Sequence, residues 1–256
     1  MNTIYRLVVL ITLFFPGHEI FAWGKKGHDA IAYIAECNLT PRAQKEIEKY
    51  LDHSIVYYAS WMDQYRKTPE YLFTDKWHTG RVDQNLISSE EARNPQGDCV
   101  RELNNAIQLL QNYRNLDDST IIVNLKYIIH LTGDMHCPSH IKYPDAPNFK
   151  VKLRGKEMTY HAVWDYGVLE DIHNWSYQEY QHQLDRFSSK EKKKIMAGTP
   201  EEWFQESAVN CKVIYDWAKS GDNLGQDFIN QAHSLPEQQI IKAGYRLAGI
   251  LNGLFD

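Results

Sequence analysis

From Trp23 onward, apolar residues recur at spacings of three and four, and period-two alternation is almost absent. That spacing marks helices that turn one face to a core. It predicts helices over about 26–37, 41–52, 54–66, 99–114, 119–137, 162–172, 176–185, 189–196, 200–220 and 236–254, the second opened by Pro41 in its first turn. Only Lys150 to Leu153 alternate like a strand, and Gly155 offers the turn of a small hairpin. The stretches 67–98 and 138–160 carry no clear period, and long loops in a compact domain are commonly functional. The expected fold class is all-α, a single compact multi-helix domain with long loops at its active site.

Residues 1–22 follow a different pattern. A short polar start with Arg6, an apolar run from Leu7 to Phe15 and a polar stretch ending in Ala22 have the plan of a secretory signal peptide. The run is about half the ~20 residues that span a bilayer, so a removed leader is expected, with a domain at 23–256 in a secreted or periplasmic protein. The remaining 234 residues (256 minus 22) suit one core, and a monomer without a membrane anchor is expected. With 28 Lys and Arg against 33 Asp and Glu, the chain lacks the charge to hold nucleic acid on a broad basic surface. Any phosphate must then be recognised at a local site. Cys37, Cys99, Cys137 and Cys211 are widely spaced with no CxxC, which favours one or two disulfides in an exported chain over a zinc knuckle.

The histidines point to that local site. On the predicted helix near Ser119, the stripe Ile121, Leu125, Ile128 and Ile129 is an ordinary core face, while His130 and Asp134 lie one turn apart on another face. A helix of this kind buries both sides, and a buried carboxylate needs a positive partner. On this fragment alone, a His–Asp pair that only ties helices together is an alternative. The string HLTGDMHCPSH adds His136 and His140, HAVWD repeats the i, i+4 spacing with His161 and Asp165, WMD supplies Asp63, and KWH supplies His78. Imidazole and carboxylate donors suit zinc.

WGKKGH from Trp23 to His28, WMD, WH, HLTGDMHCPSH and HAVWD stand in the order and at the separations of the zinc-dependent S-one and P-one nucleases, whose plant members are bifunctional. The chain resembles that family over nearly the whole of 23–256. The resemblance implies the all-α fold shared by phospholipase C and nuclease P-one, and three zinc ions. Asp63, His78, His130 and Asp134 would hold the first. The amino nitrogen and carbonyl oxygen of Trp23, with His28 and a shared Asp134, would hold the second. His140, His161 and Asp165 would hold the third. It further implies an endonuclease acting on single-stranded RNA and DNA that leaves 5′-phosphates, with 3′-nucleotidase activity beside it. In it, Asp63 handles the attacking water, Arg66 clamps phosphate, and His136 is not a ligand. Because only a free α-amine can donate a lone pair, removal of the leader would complete the second site. Cys99 and Cys211 match positions joined by a disulfide in eukaryotic members; Cys37 and Cys137 have no such match and are expected to be free, buried thiols.

The chain departs from the family after His78, where Thr79 stands in place of a base-stacking aromatic, with Tyr71, Phe73 and Tyr143 as candidate substitutes. It also has Thr159 and Tyr160 before His161 where Asn and Leu are usual. Two competing functions are a zinc phospholipase C, which carries Glu in place of Asp165, and a non-catalytic zinc-binding protein, which would lack a phosphate-binding arginine such as Arg66.

Overall fold

A computed structural model describes residues 23–256, so the expected signal peptide at 1–22 lies outside the described residues. The helices are α1 (Gly24–Glu36), α2 (Pro41–Ile47), α3 (Ile55–Tyr58), α4 (Trp61–Tyr65), α5 (Cys99–Leu110), α6 (Asp118–Asp134), α7 (Tyr160–Ala162), α8 (Val168–Ile172), α9 (Tyr177–Leu184), α10 (Ser189–Met196), α11 (Pro200–Cys211), α12 (Gln226–Ala232) and α13 (Ser234–Phe255). Short strands β1 (Gly80–Arg81) and β2 (Ile141–Lys142) pair in parallel. The hairpin of β3 (Lys150–Leu153) and β4 (Lys156–Thr159) is closed by Arg154 and Gly155, both at positive φ, and β3 also pairs with β5 (Asn223–Leu224). The strand expected at Lys150–Leu153 and its turn at Gly155 are therefore present, in a mostly helical single domain.

Local chemistry explains many of the boundaries. Thr40 caps α2 ahead of Pro41, and Ser176, Ser188 and Thr199 each form a capping box with the glutamate three residues on. α6 is the centre of the molecule: it packs against α1, α3, α4, α5 and α13, and every residue from Tyr127 to Asp134 is buried. A helix enclosed on all sides needs apolar residues around its whole circumference, or polar ones with partners; the polar exceptions are Thr132, whose hydroxyl donates to the Ile128 carbonyl, His130 and Asp134.

Several expected helices end early or are broken, those at 41–52 and 99–114 stopping at Ile47 and Leu110. The one at 54–66 divides into α3 and α4 at Ala59 and Ser60, and the Ala59 carbonyl thus leaves the helical ladder to accept a hydrogen bond from His130 Nδ1 at 2.7 Å. The one at 200–220 stops at Cys211 and continues as a tighter 3-10 turn, Lys212–Asp216. The one at 162–172 opens into a π-turn over Val163–Gly167.

The expected Cys99–Cys211 disulfide is not formed. Both residues are buried free thiols, and Cys211 Sγ accepts a hydrogen bond from Gln239 Nε2 at 2.8 Å. Burial pushes Cys211 up to about 12 and Cys99 well above its ordinary value, in keeping with two protonated thiols. Cys37 is also free, but exposed rather than buried.

Candidate metal centre and cleft

Asp134 closes α6 with both carboxylate oxygens buried, and four histidines surround it. Oδ2 lies 2.9 Å from His78 Nδ1 and 3.1 Å from His130 Nε2; Oδ1 lies 3.2 Å from His140 Nδ1 and 3.5 Å from His28 Nε2. Asp63 Oδ1, from α4, faces the first pair at 3.6 Å from His78 and 3.9 Å from His130, whose own nitrogens are 3.1 Å apart. Donors about 2.0–2.1 Å from a tetrahedral ion are separated by roughly 3.3 Å, so these spacings fit one cation inside the set. The two oxygens of Asp134 thus face different histidines.

The histidines are held by contacts behind them. His130 Nδ1 donates to Ala59, leaving Nε2 to face the centre. His28 stacks on His130 with ring centroids 4.2 Å apart, and Gly133 makes room for it: a Cβ there would meet His28 Nδ1 at 2.8 Å. Trp23 is fully buried, and its indole donates to the Gly133 carbonyl at 2.8 Å, tying the start of α1 to the residue before Asp134. Its backbone is left-handed (φ 47°), an uncommon conformation for a non-glycine residue.

A second group lies beside the first. Asp165 sits in the π-turn, a helix irregularity frequent at functional sites. Its Oδ2 is 3.0 Å from His161 Nε2 and its Oδ1 is 3.2 Å from His140 Nε2, while Ser139 Oγ donates to Oδ1 at 2.8 Å. His161 Nδ1 faces the Ser139 carbonyl at 3.1 Å, so its other nitrogen is turned to Asp165. Three donor groups could each hold an ion: His28 with His130 and Asp134; Asp63 with His78 and His130; and Cys137 with His140 and Asp165. The last includes a cysteine that the sequence reading left aside.

Electrostatics sharpen the picture. Burial lowers His28 and His78 to about 4 and raises Asp63 to about 7. Burial also disfavours charge on His140, yet Asp134 and Asp165 carry it up to about 9. Although burial alone would raise both carboxyls, His130 and His140 hold Asp134 far below the usual range, and His161 and His140 do the same for Asp165. Seven buried atoms of the group have no hydrogen-bond partner: His28 Nε2, both Asp63 oxygens, His78 Nε2, Asp134 Oδ1, His140 Nδ1 and Asp165 Oδ2. Native proteins leave very few such atoms unsatisfied, and cations beside the buried carboxylates would satisfy most of this set. The residues present therefore fit bound metal cations.

His136 is turned elsewhere. Its Nδ1 donates to the Thr132 carbonyl at 2.7 Å and its Nε2 accepts from Arg246 Nη1 at 2.8 Å, so neither nitrogen is available. Arg246 in turn pairs with Glu206, which pins the α6 terminus to α11 and α13.

A cavity of about 500 Å³ opens beside His161, lined among others by Arg66, Lys142, Tyr143 and Tyr215. Arg66 Nη1 lies 3.8 Å from Asp63 Oδ1. A wider groove of about 1020 Å³ continues past Thr79, Arg81 and Lys76. Of the substitute aromatics, Tyr143 lines both, whereas Phe73 is exposed and packs edge-on against Trp77, and Tyr71 packs against Trp61 and Tyr65. Lys142 and Tyr215 were not singled out by sequence; they come from a bridge of two residues and a 3-10 turn, neither of which has a periodic signature.

Residues 23–256 match a family model described as S1/P1 Nuclease. Similar proteins include Nuclease S1 of Aspergillus oryzae, 24% identical over 91% of this chain and 91% of that protein, and Nuclease P1 of Penicillium citrinum, 24% identical over 90% and 97%. Endonuclease 3 of Arabidopsis thaliana is 25% identical over 91% of this chain and 89% of its own length. Because the family model spans every described residue, and these relatives align along nearly their whole length with a chain that buries His and Asp donors, the protein belongs to the S1/P1 nuclease family.

Proposed function

We propose that this chain hydrolyses phosphodiester bonds in single-stranded RNA and DNA, leaves 5′-phosphate products, removes phosphate from 3′-nucleotides, and does so with three zinc ions. The observation that carries the reading is the convergence of seven partnerless buried donor atoms on the residues around Asp134 and Asp165. Asp63, His78, His130 and Asp134 would hold one ion; Trp23 through its amine and carbonyl, His28 and Asp134 a second; His140, His161 and Asp165 a third. When bound, zinc supplies Lewis acidity at phosphoryl oxygens and makes a water acidic enough to ionise near neutral pH.

The chain's own groups do the rest. Asp63, buried beside Arg66, orients the attacking water and takes its proton. Arg66 reaches the cavity beside His161 and holds phosphoryl oxygens as their charge grows. The groove past Thr79 receives the flanking nucleotides. The proposed carrier of the second site, the Trp23 amine, exists only in a chain that begins at residue 23, in keeping with a secreted or periplasmic protein whose leader is removed. The test is metal content together with product analysis: a chain starting at Trp23 is expected to carry three zincs and to yield 5′-phosphates from single-stranded RNA and DNA. Inactivity on both polymers and on 3′-nucleotides with all three zincs bound would sink the reading.

A further inference from the structure

Cys137 follows α6 at the turn into the third ligand group and is fully buried. Its Sγ lies 3.4 Å from Asp165 Oδ1, and that same oxygen lies 3.2 Å from His140 Nε2. A tetrahedral zinc with sulfur at about 2.3 Å and nitrogen or oxygen at about 2.0–2.1 Å separates S from O by roughly 3.5 Å and N from O by roughly 3.3 Å. Both observed spacings match those edges. One ligand atom from each of Cys137, His140 and Asp165 falls within 4.8 Å of the others, the arrangement an ion requires. The other oxygen of that carboxylate, Asp165 Oδ2, faces His161 Nε2 at 3.0 Å and is buried without a hydrogen-bond partner, so the same group is left with an unsatisfied donor atom.

The exposure of the neighbours favours the same assignment. Cys137 and Asp165 are wholly enclosed and His140 nearly so, whereas the His161 side chain is 25% exposed at the cavity wall. A cation in this group is therefore held most securely by the three enclosed residues, with His161 on its open side.

The geometry points to Cys137 as a thiolate ligand of the third ion, giving that site sulfur among its donors while the other two sites have only nitrogen and oxygen. This rests on the proposed function in one respect, that the third group holds a metal. In the structure the thiol hydrogen points to Asp165 Oδ1; on metal binding the S–H bond breaks, a metal–sulfur bond forms, and the proton leaves to solvent. Sulfur is a soft donor, so this one site prefers thiophilic ions such as cadmium more strongly than its neighbours do.

Cobalt replaces zinc in such sites and reports sulfur ligation by an intense near-ultraviolet charge-transfer band. The chain beginning at Trp23 is loaded with cobalt alone, alongside Cys137→Ser, Cys137→Ala and a control, Cys37→Ser, that changes the exposed cysteine. The expected result is three cobalt ions, a sulfur band in the parent and in Cys37→Ser, and no band in either Cys137 variant. In a cadmium–zinc competition, one site of the parent should favour cadmium by a margin that shrinks about tenfold or more in Cys137→Ser. Three bound cobalt ions without the band in the parent would overturn the assignment and leave the proposed function standing, and that measurement needs no variant to fold. A band that survives both Cys137 substitutions would overturn it as well. Failure of the third site to bind any cobalt would overturn both the assignment and the three-zinc reading.

Discussion

The donor residues around Asp134 and the wall that faces them are built in contrasting ways. His28, His130 and Asp134 stand on α1 and α6, are buried, and are backed by contacts from Ala59, Gly133 and Trp23. The opposite wall, with Thr79, Arg81, Lys142 and Asn148, consists of turns and two-residue strands whose side chains are partly or largely in solvent. In the first region desolvated polar groups demand fixed partners, and in the second water satisfies whatever the chain does not. Changes in the first should therefore act on metal content and turnover. Changes in the second should act on substrate affinity.

The strongest way to break that contrast is Asp134→Asn, which keeps shape but removes the charge that faces four imidazoles. Turnover on single-stranded RNA should fall by at least ~100-fold and zinc content should drop, since even an indirect partner of a metal is worth 10–100-fold. Both are read from steady-state rates and atomic absorption on the same preparation. Full activity with three zincs would remove Asp134 from the centre and, with it, the distinction between the two regions.

A smaller effect is expected at the edge of the donor region. Trp23 is anchored by its indole to Gly133, and its carbonyl accepts from the Gly27 N–H at 3.2 Å, which leaves its second lone pair free. One extra residue before Trp23 turns its amine into a planar, non-basic amide without disturbing the indole. That form should lose one zinc and about tenfold or more in activity while the other two ions stay. Equal zinc counts and rates in the two forms would show that the amine is not a donor and that the second ion, if bound, is held by other groups.

The contrast also governs what could be read from sequence. His130 with Asp134 and His161 with Asp165 were visible because helical geometry places i and i+4 side by side, and the structure keeps both pairs within 3.1 Å. Pro41 and Gly155 were visible because each has a local conformational reason to be where it is. The break at Ala59 was hidden, since its cause is a histidine 71 residues away. α12 carries little signal because its seven residues show too few turns for a period and, unlike α2, it has no proline or side-chain cap at its start. Lys142 and Tyr215 carry no signal because folding alone, with no spacing rule, brings them to the cavity, whereas Cys137 stands within HLTGDMHCPSH and is the free, buried thiol expected there. The Cys99–Cys211 bond was inferred from resemblance, and the two residues prove to be separate buried thiols.

The smallest expected effect lies on the open wall, and it sharpens the comparison because it should leave the metals untouched. Thr79 is partly exposed and lines the wide groove next to His78, yet it offers no flat face to a nucleotide base. Tyr143 lines the same groove, but its hydroxyl is committed to the Ala208 carbonyl at 2.7 Å and its ring to Tyr215, so it is not free to swing beneath a base. Stacking on an aromatic contributes about 1–3 kcal/mol per base, and a new ring on a partly solvated wall should realise the lower end, about 1 kcal/mol or roughly fivefold. Thr79→Phe should therefore lower KM for single-stranded RNA about fivefold with kcat nearly unchanged, since a contact made equally in ground and transition states raises affinity without speeding the chemistry. Zinc content should stay at the parental value. A fall in kcat or in bound zinc would mean that position 79 is coupled mechanically to His78 beside it, and that the wall and the donor cluster form one unit after all.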